Sequence, residues 1–131
     1  MGPEYEIEKS LRSEYAFLFR ALAKLYELRC GEETPAKYED LKKAVSKMEE
    51  GGFLDEYLKE NLNILLGFYP ELHPAKVASR YRKNPDETEK KLENIMQPVR
   101  TIAGDVCGEI SDLMDETRKS ESESFIKRIV G

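Results

Sequence analysis

Four carboxylates stand at fixed helical intervals near the C-terminal end of the chain. Asp105, Glu109, Asp112 and Glu116 are separated by four, three and four residues. On an α-helix that spacing puts all four on one face. Hard cations prefer carboxylate oxygen, so a stripe of this kind could bind Mg²⁺ or Mn²⁺ and support a metal-assisted hydrolysis. A basic counterpart, Lys76, Arg80 and Lys83, repeats the four-then-three spacing on a different segment. With Arg82, Lys90, Lys91 and Tyr81 nearby, that group could engage the phosphates of a nucleic acid. A third set, Gly104, Cys107, Gly108 and Ser111, lies on one face of the same segment as the acids. Glycine inside a helix costs about 1 kcal/mol relative to alanine, so two of them a turn apart imply a helix–helix contact made backbone to backbone.

Within the acidic stripe, Glu109-x-x-Asp112 resembles half of the carboxylate pattern of the all-α nucleotide pyrophosphatases. The resemblance implies a Mg²⁺- or Mn²⁺-dependent nucleotide hydrolase. The companion E-E-x-x-E run of that family is not found in the sequence. The competing reading of the four acids is a solvated surface. His73, the sole histidine, precedes Pro74 and suits a capping role; with two remote cysteines it does not supply a zinc site. Gly51-Gly52 lacks the following Lys-Ser/Thr of a phosphate-binding loop. No catalytic residue and no cofactor are assigned.

These sets are positioned by one long helix. From Asn84 to about Lys119 the seam Thr88, Leu92, Ile95, Val99, Ile102, Val106, Ile110, Leu113 and Thr117 advances with a period near 3.6. Asn84 is a cap, Pro85 occupies the first helical position, and Glu87 completes a capping box. About 34 residues at roughly 1.5 Å each span about 50 Å. A compact chain of this size is only about 36 Å across. The seam outruns the body, so either Pro98 folds the helix back or a second subunit covers the excess.

The rest of the chain reads as four shorter helices. Glu4 to Cys30 buries Ile7, Leu11, Tyr15, Leu18, Leu22 and Leu25, with Phe17, Ala21 and Leu28 on a second flank, and Gly31 ends it. Thr34 and Pro35 open the next, with Tyr38, Leu41, Val45 and Met48 inward and Gly51-Gly52 as its stop. Phe53 to Tyr69 carries two apolar stripes: one is Leu54, Leu58, Leu62, Leu65 and Tyr69, the other Phe53, Tyr57, Ile64 and Phe68. A helix this apolar is expected in the middle of the bundle. Pro74 to about Lys83 forms a short helix with Val77, Ala78 and Tyr81 inward. The polar run 120–124 is expected to be mobile and to lead into a hook of Phe125, Ile126, Ile129 and Val130.

The chain has 131 residues, 36% charged and 40% apolar, with a net charge of −5. Such a length suits one domain, residues 1–131, with a core of its own. The acidic balance argues against non-specific attraction to nucleic acid or anionic membrane. No apolar run approaches the roughly 18 residues of a membrane span, and no basic, apolar leader is seen, so a cytoplasmic protein is expected. Cys30 and Cys107 read as small apolar residues of a reduced compartment. A single glutamine amid abundant Glu, Lys and Arg matches the composition of heat-adapted proteins. The expectation is an all-α, single-domain bundle of about five helices with one long C-terminal helix and a terminal hook. Its function is expected to be a non-enzymatic interaction or assembly subunit that forms a homodimer. The rivals are the carboxylate–metal nucleotide hydrolase and a small nucleic-acid-associated protein.

Overall fold

The structure is a computed structural model that describes residues 3–130; side chains are described for Glu6 and for 8–118 apart from Pro74. Five α-helices follow in order: α1 (Pro3–Cys30), α2 (Tyr38–Glu50), α3 (Glu56–Phe68), α4 (Pro74–Lys83) and α5 (Pro85–Val130), with a 3₁₀ turn (Tyr69–Leu72) between α3 and α4. No strand occurs among the described residues. No helix among them is long and apolar enough to cross a membrane. The expected tail 120–131 and its hook fall outside the described side chains, as does Ile7.

α1 is the hub, and it packs most extensively against α5. Its seam of Leu11, Tyr15, Leu18, Leu22 and Leu25 is fully buried, facing Val99, Ile102, Ala103 and Val106 of α5 in the same core. The two helices run in the same direction. Glu6 and Ser10 share a cleft with Glu93 and Gln97, and the Arg100 Nε donates to Glu14 Oε1 at 2.7 Å. Further along, Arg29 at the end of α1 lies in the electrostatic field of Glu109. Gly31, at φ 73°, closes α1 in the left-handed conformation that a Cβ would penalise.

α2 starts later than the sequence suggests. Thr34 does not cap it: the Thr34 hydroxyl reaches only the Pro35 carbonyl, and Lys37 occupies the cap position without a side-chain bond. The reason is tertiary. Residues 31–37 run back along α1 so that Tyr38 can enter an aromatic cluster with Phe19 and Tyr69. From there α2 travels alongside α1, and Lys47 reaches the Tyr26–Glu32 pair, with Glu32 Oε2 3.6 Å away. It ends in a Schellman turn, with Phe53 N donating to Met48 O at 3.0 Å and Gly52 N to Glu49 O at 3.1 Å.

α3 reverses direction. Asp55 caps it, accepting from Leu58 N at 2.8 Å, so Phe53 and Leu54 lie in the approach rather than in the helix. At the far end the Tyr15 hydroxyl donates to the Leu65 carbonyl. Leu58, Leu62 and Leu65 are buried, as one of the two expected stripes requires, and Leu66, which belongs to neither stripe, is buried with them. Of the other stripe only Phe68 packs against the core. Tyr57 is 54% and Ile64 63% exposed, and Phe53 also faces out. The expectation that α3 lies in the middle of the bundle is therefore corrected: it is a one-faced helix on the outside, because α1 holds the centre. Phe17 and Leu28 of α1 are exposed for the converse reason, since Phe19 and Tyr26 take the flank assigned to them.

α4 begins at Pro74, capped by His73 Nδ1, which accepts from Ala75 N at 3.2 Å. Asn84 then caps α5: its Oδ1 accepts from Glu87 N at 3.3 Å, and its Nδ2 donates to Glu87 Oε2 at 2.9 Å. Pro98 lies inside α5 without interrupting it. Its missing N–H leaves the Asn94 carbonyl without the usual helical partner, a defect the continuous helix accommodates.

Candidate helix-helix interface

The face made by Gly104, Cys107, Gly108 and Ser111 points away from the core of α5. Both glycines and Ser111 are exposed, and only Cys107 is half-buried against the core. A Cβ built at Gly104 or Gly108 meets nothing within 4 Å. Among the described residues no backbone of another helix approaches them, so packing against α1 or α3 does not account for the two glycines. Gly51 behaves differently, since a Cβ there meets the Phe53 ring at 2.7 and 2.9 Å.

The acidic stripe occupies the adjoining face. Asp105, Asp112 and Glu116 are exposed, and Glu109 is half-buried. Burial raises the Glu109 carboxyl above its ordinary range; the Arg29 charge opposes that shift, while Asp55 and Asp112 reinforce it. Glu109 Oε2 and Arg29 Nε are both buried without a hydrogen bond. The Arg29 guanidinium instead lies over the Phe53 ring, 5.6 Å from its centroid. Among the described residues no group of three or more His, Cys, Asp or Glu is placed to hold a metal ion. The four carboxylates are strung along one helix, and among the described residues only Asp55, the cap of α3, is brought near them, beside Glu109.

The basic set Lys76, Arg80 and Lys83 is exposed on α4 and lines a shallow cleft of about 470 Å³ with Ser79 and Glu71. Arg80 forms an ion pair with Glu71 across that cleft. Lys91 pairs with Glu87 at 3.4 Å. The charges that would meet a phosphate backbone are partly satisfied within the chain.

Toward the C-terminus α5 loses its partners. Val106 is fully buried, Ile110 and Leu113 are half-buried, Met114 is 40% exposed, and residues 114–118 are all exposed. α1 stops at Cys30 and α3 starts at Glu56 at this same end, while the α5 backbone continues helically to Val130. Forty-six residues at about 1.5 Å give α5 a length near 69 Å, against about 42 Å for the 28 residues of α1.

A feature that sequence reading missed is the groove between α2 and α3, about 690 Å³, walled by Lys42, Lys43 and Ser46 and floored by Val45, Leu66 and Gly67. The relation of these lysines to Gly67 depends on the α2–α3 reversal, which no local spacing encodes.

No family model, curated protein or solved structure matches this chain.

Proposed function

We propose that the chain is a non-enzymatic helical assembly subunit that associates with a second copy of itself. The reading is carried by the course of α5, whose apolar seam continues past the last helix able to cover it. Leu113 is only half-buried and Met114 is exposed at the point where α1 and α3 have ended, on a helix that runs on. Apolar surface left in water costs about 25 cal/mol per Å², and a second subunit is the simplest way to remove it. The outward stripe of α3, with Tyr57 and Ile64, adds further apolar area of the kind that marks protein contacts. Light scattering after size exclusion tests the reading. A mass of twice 15.1 kDa at tens of micromolar is expected; a single-chain mass would overturn it.

A further inference from the structure

We infer that the groove between α2 and α3 receives the projecting end of α5 from a second copy of this chain. The inference rests on the self-association reading and specifies the surfaces that meet. Beyond Leu113 the described part of α5 is amphipathic. Leu113, Met114 and the helix-neutral Thr117 continue the seam, and Asp112, Asp115 and Glu116 occupy the opposite and flanking positions with one cation, Arg118, beside them; all are exposed except Leu113. An amphipathic helix of this kind docks with its apolar side in a groove and its charges on the rim.

The α2–α3 groove has the complementary order. Its floor, Val45 and Leu66, is apolar but almost covered by the chain itself, and Gly67 leaves room for close approach, since a Cβ there meets nothing within 4 Å. Ile64, one helical turn from Gly67, extends the apolar surface onto the outer lip. One wall presents Lys42 and Lys43, in a protein whose net charge is −5. Glu39 and Glu50 also line the groove, but near the two ends of α2, so the middle of the wall is basic. Lys47 is engaged by Glu32 at 3.6 Å; Lys42 lies over the Tyr38 ring at 5.3 Å, a contact that leaves its charge unneutralised, so Lys42 and Lys43 can meet the carboxylates of the arm.

The occupant must come from another chain. The α5 end leaves the body beyond Arg29 and runs in the direction of α1, whereas its own groove lies back alongside α1 between Phe19 and Tyr26. A continuous helix cannot turn through that angle. Two copies related by a two-fold axis near this end would each place an arm on the other, which closes the assembly at two.

Sedimentation equilibrium on charge-exchanged variants tests this. Lys42→Glu with Lys43→Glu is expected to weaken the dimer by tenfold or more, and Asp112→Lys with Glu116→Lys to do the same. Combining all four should return the dissociation constant to within about threefold of the parent. All four positions are exposed, and circular dichroism checks that helicity is kept. A dimer indifferent to both pairs, or one that the combination does not restore, overturns the groove while leaving self-association standing. A parent chain that is monomeric throughout overturns self-association itself.

Discussion

The hydroxyl of Tyr15 donates to the carbonyl of Leu65 at 2.7 Å, joining α1 to α3 across 50 residues of sequence. The Tyr15 side chain is wholly buried, and its ring also meets Phe19 and Tyr69. Burial, with the negative phenolates that Tyr38 and Tyr69 would become, raises the Tyr15 hydroxyl well above its ordinary value of 10.

Tyr15→Phe should therefore destabilise by about 1 kcal/mol, the net worth of one buried hydrogen bond. The Leu65 carbonyl keeps the Tyr69 N–H, so the loss stays small. The pH dependence has a definite sign. A raised folded value means that the folded state holds its proton where the unfolded chain gives it up. Stability from this group is thus complete below pH 10 and lost above it. Urea unfolding from pH 8 to 11 should show a decline that Tyr15→Phe flattens; an unchanged decline would place its cause elsewhere.

Glu109→Gln is expected to stabilise the protein at pH 7. Its carboxyl is raised mainly by desolvation, so ionisation is unfavourable in the folded state. A raised carboxyl favours folding in its protonated form, and that advantage is lost as pH rises through the folded value. Thermal melts from pH 4 to 7 should fall less steeply for the variant. A lower melting temperature at pH 7 would mean that the Arg29 charge outweighs desolvation.

Millimolar Mg²⁺ or Mn²⁺ should leave the melting temperature nearly unchanged. A specific site stabilises by RT ln(1 + [L]/Kd), about 2.7 kcal/mol at a hundredfold excess over Kd. A rise of several degrees, removed by Asp112→Asn, would restore the carboxylate–metal hydrolase reading of Asp105, Glu109, Asp112 and Glu116.

Heparin at low salt should not retain the chain, because Glu71 holds Arg80 and the net charge is −5. If retention occurs and Glu71→Gln strengthens it, Lys76, Arg80 and Lys83 form a phosphate-binding face after all. The salt slope would then fall by about 1 for each lysine removed.

Gly104→Ala and Gly108→Ala should each raise stability by up to about 1 kcal/mol, since open space surrounds both positions. Gly51→Ala, whose Cβ runs into the Phe53 ring, should not. Gly108→Leu should leave the dimer intact if the α5 end and the α2–α3 groove form the interface. Weakening would move the contact to the glycine face.

How far the sequence could be read depended on the range of the signal. The Asn84–Pro85–Glu87 start, the Gly31 stop and the His73 cap are local, and each lies where its chemistry predicts. Thr34–Pro35 is an equally good local start, yet the helix waits until Tyr38, because ring packing on Tyr69 at 5.1 Å outweighs one cap. The two apolar stripes of α3 were visible; which one faces the core was not, since Tyr57 and Ile64 differ from Leu58 and Leu65 only in what lies opposite. For the candidate sites, spacing placed the acids and glycines on faces of α5. It could not reveal that those faces are bare apart from the half-buried Cys107 and Glu109, nor that α2 and α3 form a lysine-walled groove.

The union of α1 with α5 bears on how the chain is made. Glu14 waits for Arg100, 86 residues later, and the α1 seam waits for the α5 residues that share its core. At about 5–20 residues per second, a ribosome takes roughly 4–17 s to cover that interval. For those seconds the seam from Leu11 to Leu25 is sheltered on one side at most, by α2 and then α3. A nascent chain is therefore exposed to wrong partners until its last helix emerges, and neighbouring copies on one message are the nearest of them.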